Sequence, residues 1–438
     1  LVSAVSHTIA VLDRNSSTGL LTGRSILRDG LGGVDGLSSP ADFALSPDDR
    51  FLTVAAPGDD SVTVLARDDG DGELAFVEAR NVNESTPVLQ RPSGMAVSPN
   101  GQNVYVVSSF EDTLTVFLRD TARGGLEILE TQVNGDGPID GLGAANSVAV
   151  SHDGRNVYVA GGRDDAIAVF TRDASSGVVD FLEVERDNVG GVVGLDLPNA
   201  IAISPDDTNV YVASTLDDAV VAFDRDPGTG ALAFMQALQE GRGAIGLLGA
   251  QDVVVSPEGN HVYVASGVSD AVALFARSPF DGTLTQLATY RDGQGGVSGM
   301  DRPNALAISP DGDNVYVVSG AEDAVVTFSR NAFTGGLTFQ GVDRGMITDG
   351  LDLEAISDVA VSPDGAWVYV VAIFDDTLGV FSRGAATGTL QFAQRERDGE
   401  NGIDGLNGAT GVVPSLDGRY VYGLGFSDDA LAVFRVNP

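Results

Sequence analysis

Oxygen-bearing side chains recur on a set of glycine-rich loops along the chain. RDGLGGVDGLSSP, NGDGPIDGLGAA and RDGENGIDGLNGA are three of these loops, and each carries several carboxylates or amides. Hard oxygen ligands on such loops are what Ca²⁺ coordination requires, although the spacing is not that of an EF-hand. Ca²⁺ is therefore the candidate cofactor, and the candidate ligands are Asp29, Asp35, Asn134, Asp136, Asp140, Asp398, Glu400 and Asp404. Asp and Gly also form loops without a metal, and that alternative stays open.

A second polar set stands at a fixed distance before a repeated Ser-Pro-Asp-Gly-like turn. Five residues before the Ser of each turn lie Ala41, Ser93, Asn146, Asn199, Gln251, Asn304, Ser357 and Thr410. The next position carries three carboxylates, Asp42, Asp252 and Asp358. Amides, hydroxyls and carboxylates in a ring hold a polar ligand, a cation or only water. The candidate ligand-binding residues are Asp42, Asn146, Asn199, Gln251, Asp252, Asn304 and Asp358.

Groups for nucleophilic catalysis are scarce in this sequence. It has no Cys and no Lys, and its three His residues, His7, His152 and His261, share no common offset from the repeated turn. No Gly-x-Ser-x-Gly motif is present to mark a nucleophilic serine. A general base would have to be a carboxylate with a raised pKa, for which the ring aspartates are the candidates. No catalytic residue is therefore assigned from the sequence.

The Ser of the repeated turn recurs at intervals of 52 or 53 residues. Its positions are Ser46, Ser98, Ser151, Ser204, Ser256, Ser309, Ser362 and Ser415. Each unit has an apolar strand before the turn, a Val-Tyr-Val-like strand after it, an alternating third strand, and a fourth strand after a Thr-Gly-x-Leu-like turn. Four short strands in a period of roughly 50 residues are typical of a propeller blade. The sequence predicts an all-β fold, a β-propeller of eight four-stranded blades of about 53 residues each.

The chain begins within a repeat. SHTIAVLDRN, residues 6–15, aligns with DDTLGVFSRG, residues 375–384, and the eighth unit ends after its third strand. We expect one propeller domain over residues 1–438, in which strands within residues 1–28 close the last blade and remove its open edge. The closing strand is predicted around 20–27. Residues 1–16 then duplicate the phase of residues 423–438, and this surplus strand is expected to fray or pack locally; pairing with a neighbouring molecule is the alternative.

Two regular sets of charged residues are expected to be structural. Asp residues lie 14 positions after each anchor Ser, in turns where a carboxylate accepts backbone N–H groups. Arg residues end the third strands, near the acidic side chains of the Ser-Pro-Asp-Gly-like turns, and are expected to form exposed and individually weak ion pairs. The Asp set is Asp60, Asp112, Asp165, Asp218, Asp270, Asp323, Asp376 and Asp429. The Arg set is Arg67, Arg119, Arg172, Arg225, Arg277, Arg330 and Arg383.

The charge balance limits the classes of partner. With 62 acidic and 25 basic residues, the formal net charge is −37. Such a surface repels nucleic acid and anionic membranes, and no apolar run reaches the length of a membrane span. The remaining partner classes are a protein, a carbohydrate or another copy of this chain joined through the N-terminal strand. An extracellular or cell-surface location is expected, with any signal peptide outside this sequence.

The repeat motifs resemble those of a known family. Units such as PNALAISPDGDNVYVVSGAEDAVVTFSRNAFTGGLTF are similar to repeats of lactonase-like propellers, which include 6-phosphogluconolactonase-type proteins, and to repeats of surface-layer proteins. The resemblance covers essentially the whole chain. It implies a propeller, usually of seven blades, and in lactonase-type members a His at the channel mouth. The corresponding positions here are Asp42, Gly94, Ser147, Ala200, Asp252, Ala305, Asp358 and Gly411.

The absence of that His favours a role other than catalysis. The leading interpretation is a secreted or cell-surface module for binding, interaction or structural assembly. The alternatives are a lactonase-like hydrolase that acts at the channel mouth, and an envelope or filament subunit joined through the surplus strand.

Overall fold

The regular elements of this protein are β-strands. The structure is a computed structural model, and it describes residues 9–14, 21–27, 29–30, 33–68, 73–81, 89–344, 353–400, 403, 405–427 and 430–436. The fold is an all-β propeller built of four-stranded blades, as the sequence predicts, and the described strands form eight sheets. No helix within these ranges is long and apolar enough to cross a membrane.

The first four sheets follow the order of the chain, and within each sheet neighbouring strands are antiparallel, except for the short β19. Blade 1 contains β3 (Asp42–Leu45), β4 (Phe51–Ala56), β5 (Ser61–Arg67) and β6 (Leu74–Asn81). Blade 2 contains β7 (Pro92–Val97), β8 (Asn103–Ser108), β9 (Thr113–Arg119) and β10 (Leu126–Val133). Blade 3 contains β11 (Ala145–Val150), β12 (Asn156–Gly161), β13 (Ala166–Arg172) and β14 (Val179–Arg186). Blade 4 contains β15 (Pro198–Ile203), β16 (Asn209–Ser214), β17 (Ala219–Arg225), β18 (Leu232–Glu240) and the two-residue parallel strand β19 (Gly243–Ala244).

The next sheets repeat this arrangement up to the eighth. Blade 5 contains β20 (Ala250–Val255), β21 (His261–Ser266), β22 (Ala271–Arg277) and β23 (Leu284–Arg291). Blade 6 contains β24 (Pro303–Ile308), β25 (Asn314–Ser319), β26 (Ala324–Arg330) and β27 (Leu337–Arg344). Blade 7 contains β28 (Ile356–Val361), β29 (Trp367–Ala372), β30 (Thr377–Arg383) and β31 (Leu390–Arg397). Blade 8 contains β32 (Ala409–Pro414), β33 (Tyr420–Gly425), β34 (Ala430–Val436), β1 (Ile9–Arg14) and β2 (Leu21–Leu27).

The middle strands of each blade are covered on both faces. All six residues of β8, β12 and β16 are buried, because each sheet is packed between two neighbouring sheets. Continuous apolar runs such as Val-Tyr-Val therefore suit these positions better than strict alternation. Their burial supplies most of the hydrophobic stabilisation of the blade stack, at about 25 cal/mol for each Å² of apolar surface.

The core is divided among the interfaces between blades. The described residues form eight hydrophobic clusters, and each cluster joins two adjacent sheets. One cluster joins blade 1 to blade 8, because Leu52 and Val54 pack with Tyr420, Tyr422 and Leu424. The sheets thus close into a ring, whose innermost strands are the first strand of each blade.

Blade 8 agrees with the sequence expectation in one respect and differs in another. The surplus strand β1 packs locally, the second of the two outcomes expected for it: it lies between β34 and β2 and pairs with β34 in parallel, with Val11 opposite Val433. The predicted closing strand, β2, pairs with β1 instead of with the last strand of the chain. An unpaired strand edge favours pairing with another strand. Because β1 occupies the same position in the repeat as β34 and precedes β2, it covers the edge of β34, and β2 then pairs with β1.

The arginines that end the third strands are buried, so the expectation of weak exposed pairs is wrong. The Arg225 side chain is fully buried, and it contacts the Ser-Pro-Asp-Gly-like turn of the preceding blade. Its Nη2 donates to both Asp153 oxygens at 3.1 and 3.0 Å and to Asn156 Oδ1 at 2.7 Å, and its Nε donates to Tyr158 Oη at 2.7 Å. Related contacts to the preceding blade are made by Arg67, Arg119, Arg172, Arg277, Arg330 and Arg383.

His261 takes the place of the asparagine at one of these interfaces. Its Nδ1 lies 3.0 Å from Arg330 Nη2 and 3.3 Å from Glu258 Oε1. Accepting a hydrogen bond from Arg330 requires a neutral ring, and burial lowers the pKa of His261. The unfolded chain therefore binds a proton at His261 at a higher pH than the folded protein does. The stabilising contribution of His261 is complete above about pH 6.5 and is lost as the pH falls towards the pKa that His261 has in the folded state.

Replacing His261 with Asn is therefore expected to reduce the loss of stability in acid. In the wild type, protonation of His261 in the unfolded chain costs up to about 2 kcal/mol of stability at pH 5. The H261N variant restores the residue found at Asn209 and Asn314 and has no proton to bind. Urea unfolding at pH 7.5 and pH 5 measures the effect as the difference between variant and wild type. An equal change with pH in the two proteins would contradict the assignment.

Candidate functional site at the channel mouth

The polar ring predicted from the sequence lies at the start of the innermost strands. Gln251, Asn304 and Ser357 belong to three successive blades, and together they line a recess of about 280 Å³. Its other lining residues are Arg302, Gly320, Ala321, Ala355, Ile356 and Ile373. The recess is therefore built by blades 5, 6 and 7. Its polar groups come from the first strands and from Arg302, and its apolar groups come from the turns between second and third strands and from Ala355 and Ile356 at the start of β28.

Hydrogen bonds between blades hold the amides of this ring. Asn304 Nδ2 donates to the carbonyl oxygens of Ile356 at 3.2 Å and Ser357 at 2.8 Å, while Asn304 Oδ1 is buried without a hydrogen-bond partner. Asn199 Nδ2 similarly donates to Gln251 O, and Asn146 Nδ2 donates to Pro198 O. The amides therefore link the blades, and an unpartnered acceptor remains beside the recess.

Turn aspartates position the backbone around the recess. Asp270 Oδ1 accepts a hydrogen bond from Arg302 N at 3.0 Å, and Asp323 Oδ1 accepts one from Ala355 N at 2.7 Å. Both donor residues have positive φ, 54° for Arg302 and 61° for Ala355, a conformation that needs external support in residues other than Gly. Equivalent bonds are made by Asp60, Asp112, Asp165, Asp218 and Asp376. This geometry agrees with the structural role expected from the sequence.

Removing one such bond is expected to weaken the ring. Asp165 Oδ1 accepts from Leu197 N at 3.1 Å, and Asp165 itself has a φ of 51°. An Asp165→Ala variant loses the acceptor and strains the turn, which is expected to cost about 1–3 kcal/mol. Asp165→Asn is the matched control, because Asn keeps an acceptor oxygen and tolerates positive φ. Urea unfolding measures both variants, and an equal loss in both would contradict the role of the acceptor and the turn.

The three ring aspartates lie at the starts of β3, β20 and β28. Oδ2 of Asp252 accepts from Leu306 N at 3.0 Å, and Oδ2 of Asp358 accepts from Val412 N at 2.9 Å, so each carboxylate bonds to the next blade. Burial raises the pKa of Asp358 to about 6 and raises the pKa of Asp252, although backbone hydrogen bonds oppose the change. Asp42 has the same arrangement with Met95 N, and burial raises its pKa to about 6. The environment that a carboxylate base needs is thus present at these positions.

The loop carboxylates proposed for Ca²⁺ accept backbone hydrogen bonds. Asp29 Oδ1 accepts from Leu37 N, Asn134 Oδ1 from Leu142 N, and Asp398 Oδ1 from Leu406 N, so each residue ties together the two ends of its own loop. Asp140 pairs with Arg186, and Glu400 with Arg395.

No metal-ligand cluster occurs in the described ranges. Among the described residues, Asp35 and Asp136 are not part of a cluster of three or more metal-ligating side chains, and Asp404 lies outside those residues. Calcium binding stays a prediction. A calcium site would raise the melting temperature on addition of Ca²⁺ but not of equal ionic strength as NaCl, and a chelator would reverse the rise.

The histidines lie apart, as their irregular spacing predicts. His152 is in an exposed turn and lies 2.9 Å from Asp207, whereas His261 is buried at the interface between blades 5 and 6. His7 is outside the described residues. Sequence reasoning missed Arg302, which lies two residues before Asn304. Its signal was its place at the end of a glycine-rich loop, next to the ring position.

These features define a β-propeller whose channel mouth is polar and whose blades are joined by repeated hydrogen bonds. A family model described as "Lactonase, 7-bladed beta-propeller" matches residues 1–140 and 139–248, more than half of the chain. The chain belongs to this lactonase family. The described residues form eight sheets, one more than the number of blades in that description.

Two curated relatives are 6-phosphogluconolactonases. The protein from Formosa agariphila is 29% identical over 99 residues, which cover 22% of this chain and 27% of the relative. The protein from Enterobacter sp. is 21% identical over 250 residues, which cover 57% of this chain and 70% of the relative. The chain thus spans about a quarter of the first relative and somewhat over two thirds of the second.

Solved structures share the fold. The periplasmic gluconolactonase of Pseudomonas aeruginosa is 21% identical, with a TM-score of 0.56, and the match covers 77% of this chain and 92% of that one. The Chaetomium thermophilum protein Sqt1, bound to the N-terminus of ribosomal protein L10, is 18% identical, with a TM-score of 0.66, and the match covers 91% of this chain and 97% of that one. At these identities the similarity describes the fold alone.

Proposed function

We propose that this protein binds a sugar acid or its lactone, of monosaccharide size, in the recess formed by Gln251, Arg302, Asn304 and Ser357. The observation that carries the proposal is the buried, unpartnered Asn304 Oδ1 of a residue that lines the recess together with Arg302. Within the described part of the chain, Arg302 makes no ion pair, although the chain has 62 acidic residues. An unpaired guanidinium suits a ligand carboxylate, and amides and hydroxyls suit ligand hydroxyl groups.

The size of the recess supports a small ligand. Its volume of about 280 Å³ lies just below the range of about 300–1,000 Å³ that is usual for drug-sized ligands. The family relationship supports the same ligand class, because the curated relatives are 6-phosphogluconolactonases. A binding role also agrees with the leading interpretation of the sequence. Extracellular location, and binding of a protein partner, remain predictions from the sequence alone.

The proposed architecture is an eight-bladed ring. Eight repeats in the sequence, eight sheets among the described strands and eight clusters between neighbouring sheets support it. Symmetry averaging in electron microscopy of the purified protein distinguishes eight blades from seven.

Isothermal titration with gluconate, glucono-δ-lactone and glucose tests the binding proposal. Gluconate is expected to bind at least tenfold more tightly than glucose, because only gluconate carries the carboxylate for Arg302. Arg302→Gln is expected to remove that preference, and Asn304→Ala to weaken both ligands. Asn199→Ala, at the same ring position but outside the recess, is the matched control. Absence of binding, or a preference unchanged in Arg302→Gln, would reject the proposal.

Lactone hydrolysis is the second candidate, and the raised pKa values of Asp252 and Asp358 favour it. A carboxylate with a pKa of about 6 is a better general base near neutral pH than an ordinary aspartate. If Asp358 is the base, the rate of glucono-δ-lactone hydrolysis above the spontaneous rate is expected to rise as the pH passes through about 6 and to fall at least 100-fold in Asp358→Asn. Asp252→Asn tests the other candidate base, whose pKa burial also raises. Asp252 and Asp358 directly follow Gln251 and Ser357, which line the recess, whereas no residue of blade 1 lines it; Asp42→Asn, in blade 1, is therefore the control. A rate equal to the spontaneous rate excludes this activity while leaving the binding proposal intact.

A further inference from the structure

The eighth blade contains two copies of one strand. β1 and β34 have the same phase in the repeat, and they pair in parallel with no offset: Val11 is opposite Val433, and Arg14 is opposite Val436. In the other blades, each third strand has an antiparallel neighbour on both sides. Because β1 runs parallel to β34, it already has the direction that the third strand of blade 8 requires next to β33.

The hairpin of β1 and β2 reproduces the outer half of a regular blade. Its register shifts between Val11 and Leu12. The corresponding pair in blade 1, β5 with β6, shifts between Val64 and Leu65, which is the same repeat position one period later. Such bulges recur at the same place between the third and fourth strands of the other blades. The hairpin therefore matches the third and fourth strands of a blade in direction, register and bulge.

The arginine pattern also favours β1 as a third strand. Blades 1 to 7 end their third strands with a buried Arg that contacts the turn of the preceding blade, but the position in β34 is Val436. An arginine at the end of the third strand of blade 8 would contact the turn of blade 7. In that turn Asp364 accepts hydrogen bonds from Ser362 Oγ and Ala366 N and, among described residues, from no arginine. The residue at the arginine position of β1 is Arg14.

We infer that β1 and β34 are alternative third strands of blade 8. In the exchanged form, β1 pairs directly with β33, the sheet has the regular order β32-β33-β1-β2, and β34 is released as a free C-terminal strand. Exchange replaces the β33–β34 ladder with an equivalent β33–β1 ladder at the cost of the short parallel ladder between β1 and β34, and it places Arg14 at the arginine position of the strand next to β33. The ring therefore stays closed while a strand with the repeat's own pairing pattern becomes available to another sheet edge.

Disulfide trapping in the 438-residue chain tests this exchange, because the chain has no natural Cys. Leu424 is opposite Leu431 in the described form, so L424C/L431C is expected to form a disulfide there. By the shared phase, Ile9 takes the place of Leu431 after exchange, so I9C/L424C reports the exchanged form. In the described form a strand separates these two positions, at about 9–10 Å, which is too far for a disulfide.

Both pairs are expected to form disulfides within one chain after incubation in an oxidising glutathione buffer. Adding Arg14→Ala to I9C/L424C is expected to lower the yield of the disulfide at least threefold, because the exchanged form then lacks the arginine that favours it. Arg24→Ala, on β2, is expected to leave the disulfide yield unchanged. Circular dichroism and size exclusion of the reduced variants identify any that fail to fold, and V11C/V433C then serves as a second probe of the described form. An I9C/L424C pair that stays reduced in a folded protein, or one that forms disulfides only between chains, would overturn the inference.

Discussion

Replacing Arg225 with Met is expected to destabilise the protein by about 3–5 kcal/mol. This arginine is fully buried and binds Asp153, Asn156, Tyr158 and the carbonyl of Asp207. Met fills much of the same volume but leaves the Asp153 carboxylate without its counter-charge and two polar side chains without a donor. Removing one partner of a buried ion pair usually costs this much, because the remaining charge is left uncompensated.

Two other arginine substitutions serve as controls for Arg225→Met. Arg225→Lys keeps the charge but loses the planar fork, so it is expected to recover only part of the loss. Arg123→Ala removes a side chain that is 87% exposed, 3.8 Å from Asp120, and is expected to change stability by less than about 0.5 kcal/mol. Urea unfolding of the three variants at pH 7 provides the test. A loss in Arg225→Met as small as that in Arg123→Ala would show that the buried contacts contribute little.

Replacing Glu396 with Gln is expected to stabilise the protein at pH 8 by about 3–5 kcal/mol. Glu396 is 4% exposed, and burial raises its pKa to about 8; the charge of Arg395 opposes this rise and that of Glu400 adds to it. The folded protein therefore keeps a proton that the unfolded chain releases above about pH 4.5. The free energy of unfolding therefore includes the full stabilising contribution of Glu396 below about pH 4.5, and this contribution is lost as the pH rises towards 8.

The pH dependence distinguishes this effect from a general gain in packing. Wild type and Glu396→Gln are expected to be similar near pH 4.5 and to diverge steadily up to pH 8. Glu396→Leu is a second variant, since the equivalent residue of blade 4 is Leu238, which packs in the core between blades 4 and 5. Glu127→Gln, on the exposed outer strand of blade 2, is the control. Parallel stability curves for wild type and Glu396→Gln would contradict the assignment.

The fold could be read from the sequence to a large extent, because its signals are local and repeated. Strand positions, turns and the roles of the turn aspartates follow from residues that are close in sequence, such as the Asp at a turn with positive φ. The arginine contacts were harder to predict. Arg383 bonds to Asp311 of the preceding blade, 72 positions away, and its side chain is only 3% exposed.

The candidate site was predictable in part. The ring positions of Gln251 and Asn304 follow from the repeat, whereas Arg302 lies on an irregular loop whose path is set by Asp270 of another blade. Buried acids were missed for a similar reason. Glu185, Asp343 and Glu396 share one position in the fourth strands, and alternation alone leaves open whether that position faces water or the next blade.

The repeat, the strand order within a blade and the polar ring at the channel mouth follow from the amino-acid sequence alone. These features depend on a period of 52 or 53 residues and on turn chemistry within each period. The blade that each arginine contacts, the carboxylates that are buried and the completion of the eighth blade are known only from the folded chain. Because every blade has nearly the same pattern, contacts between blades and the choice between two equivalent strands depend on how the ring closes.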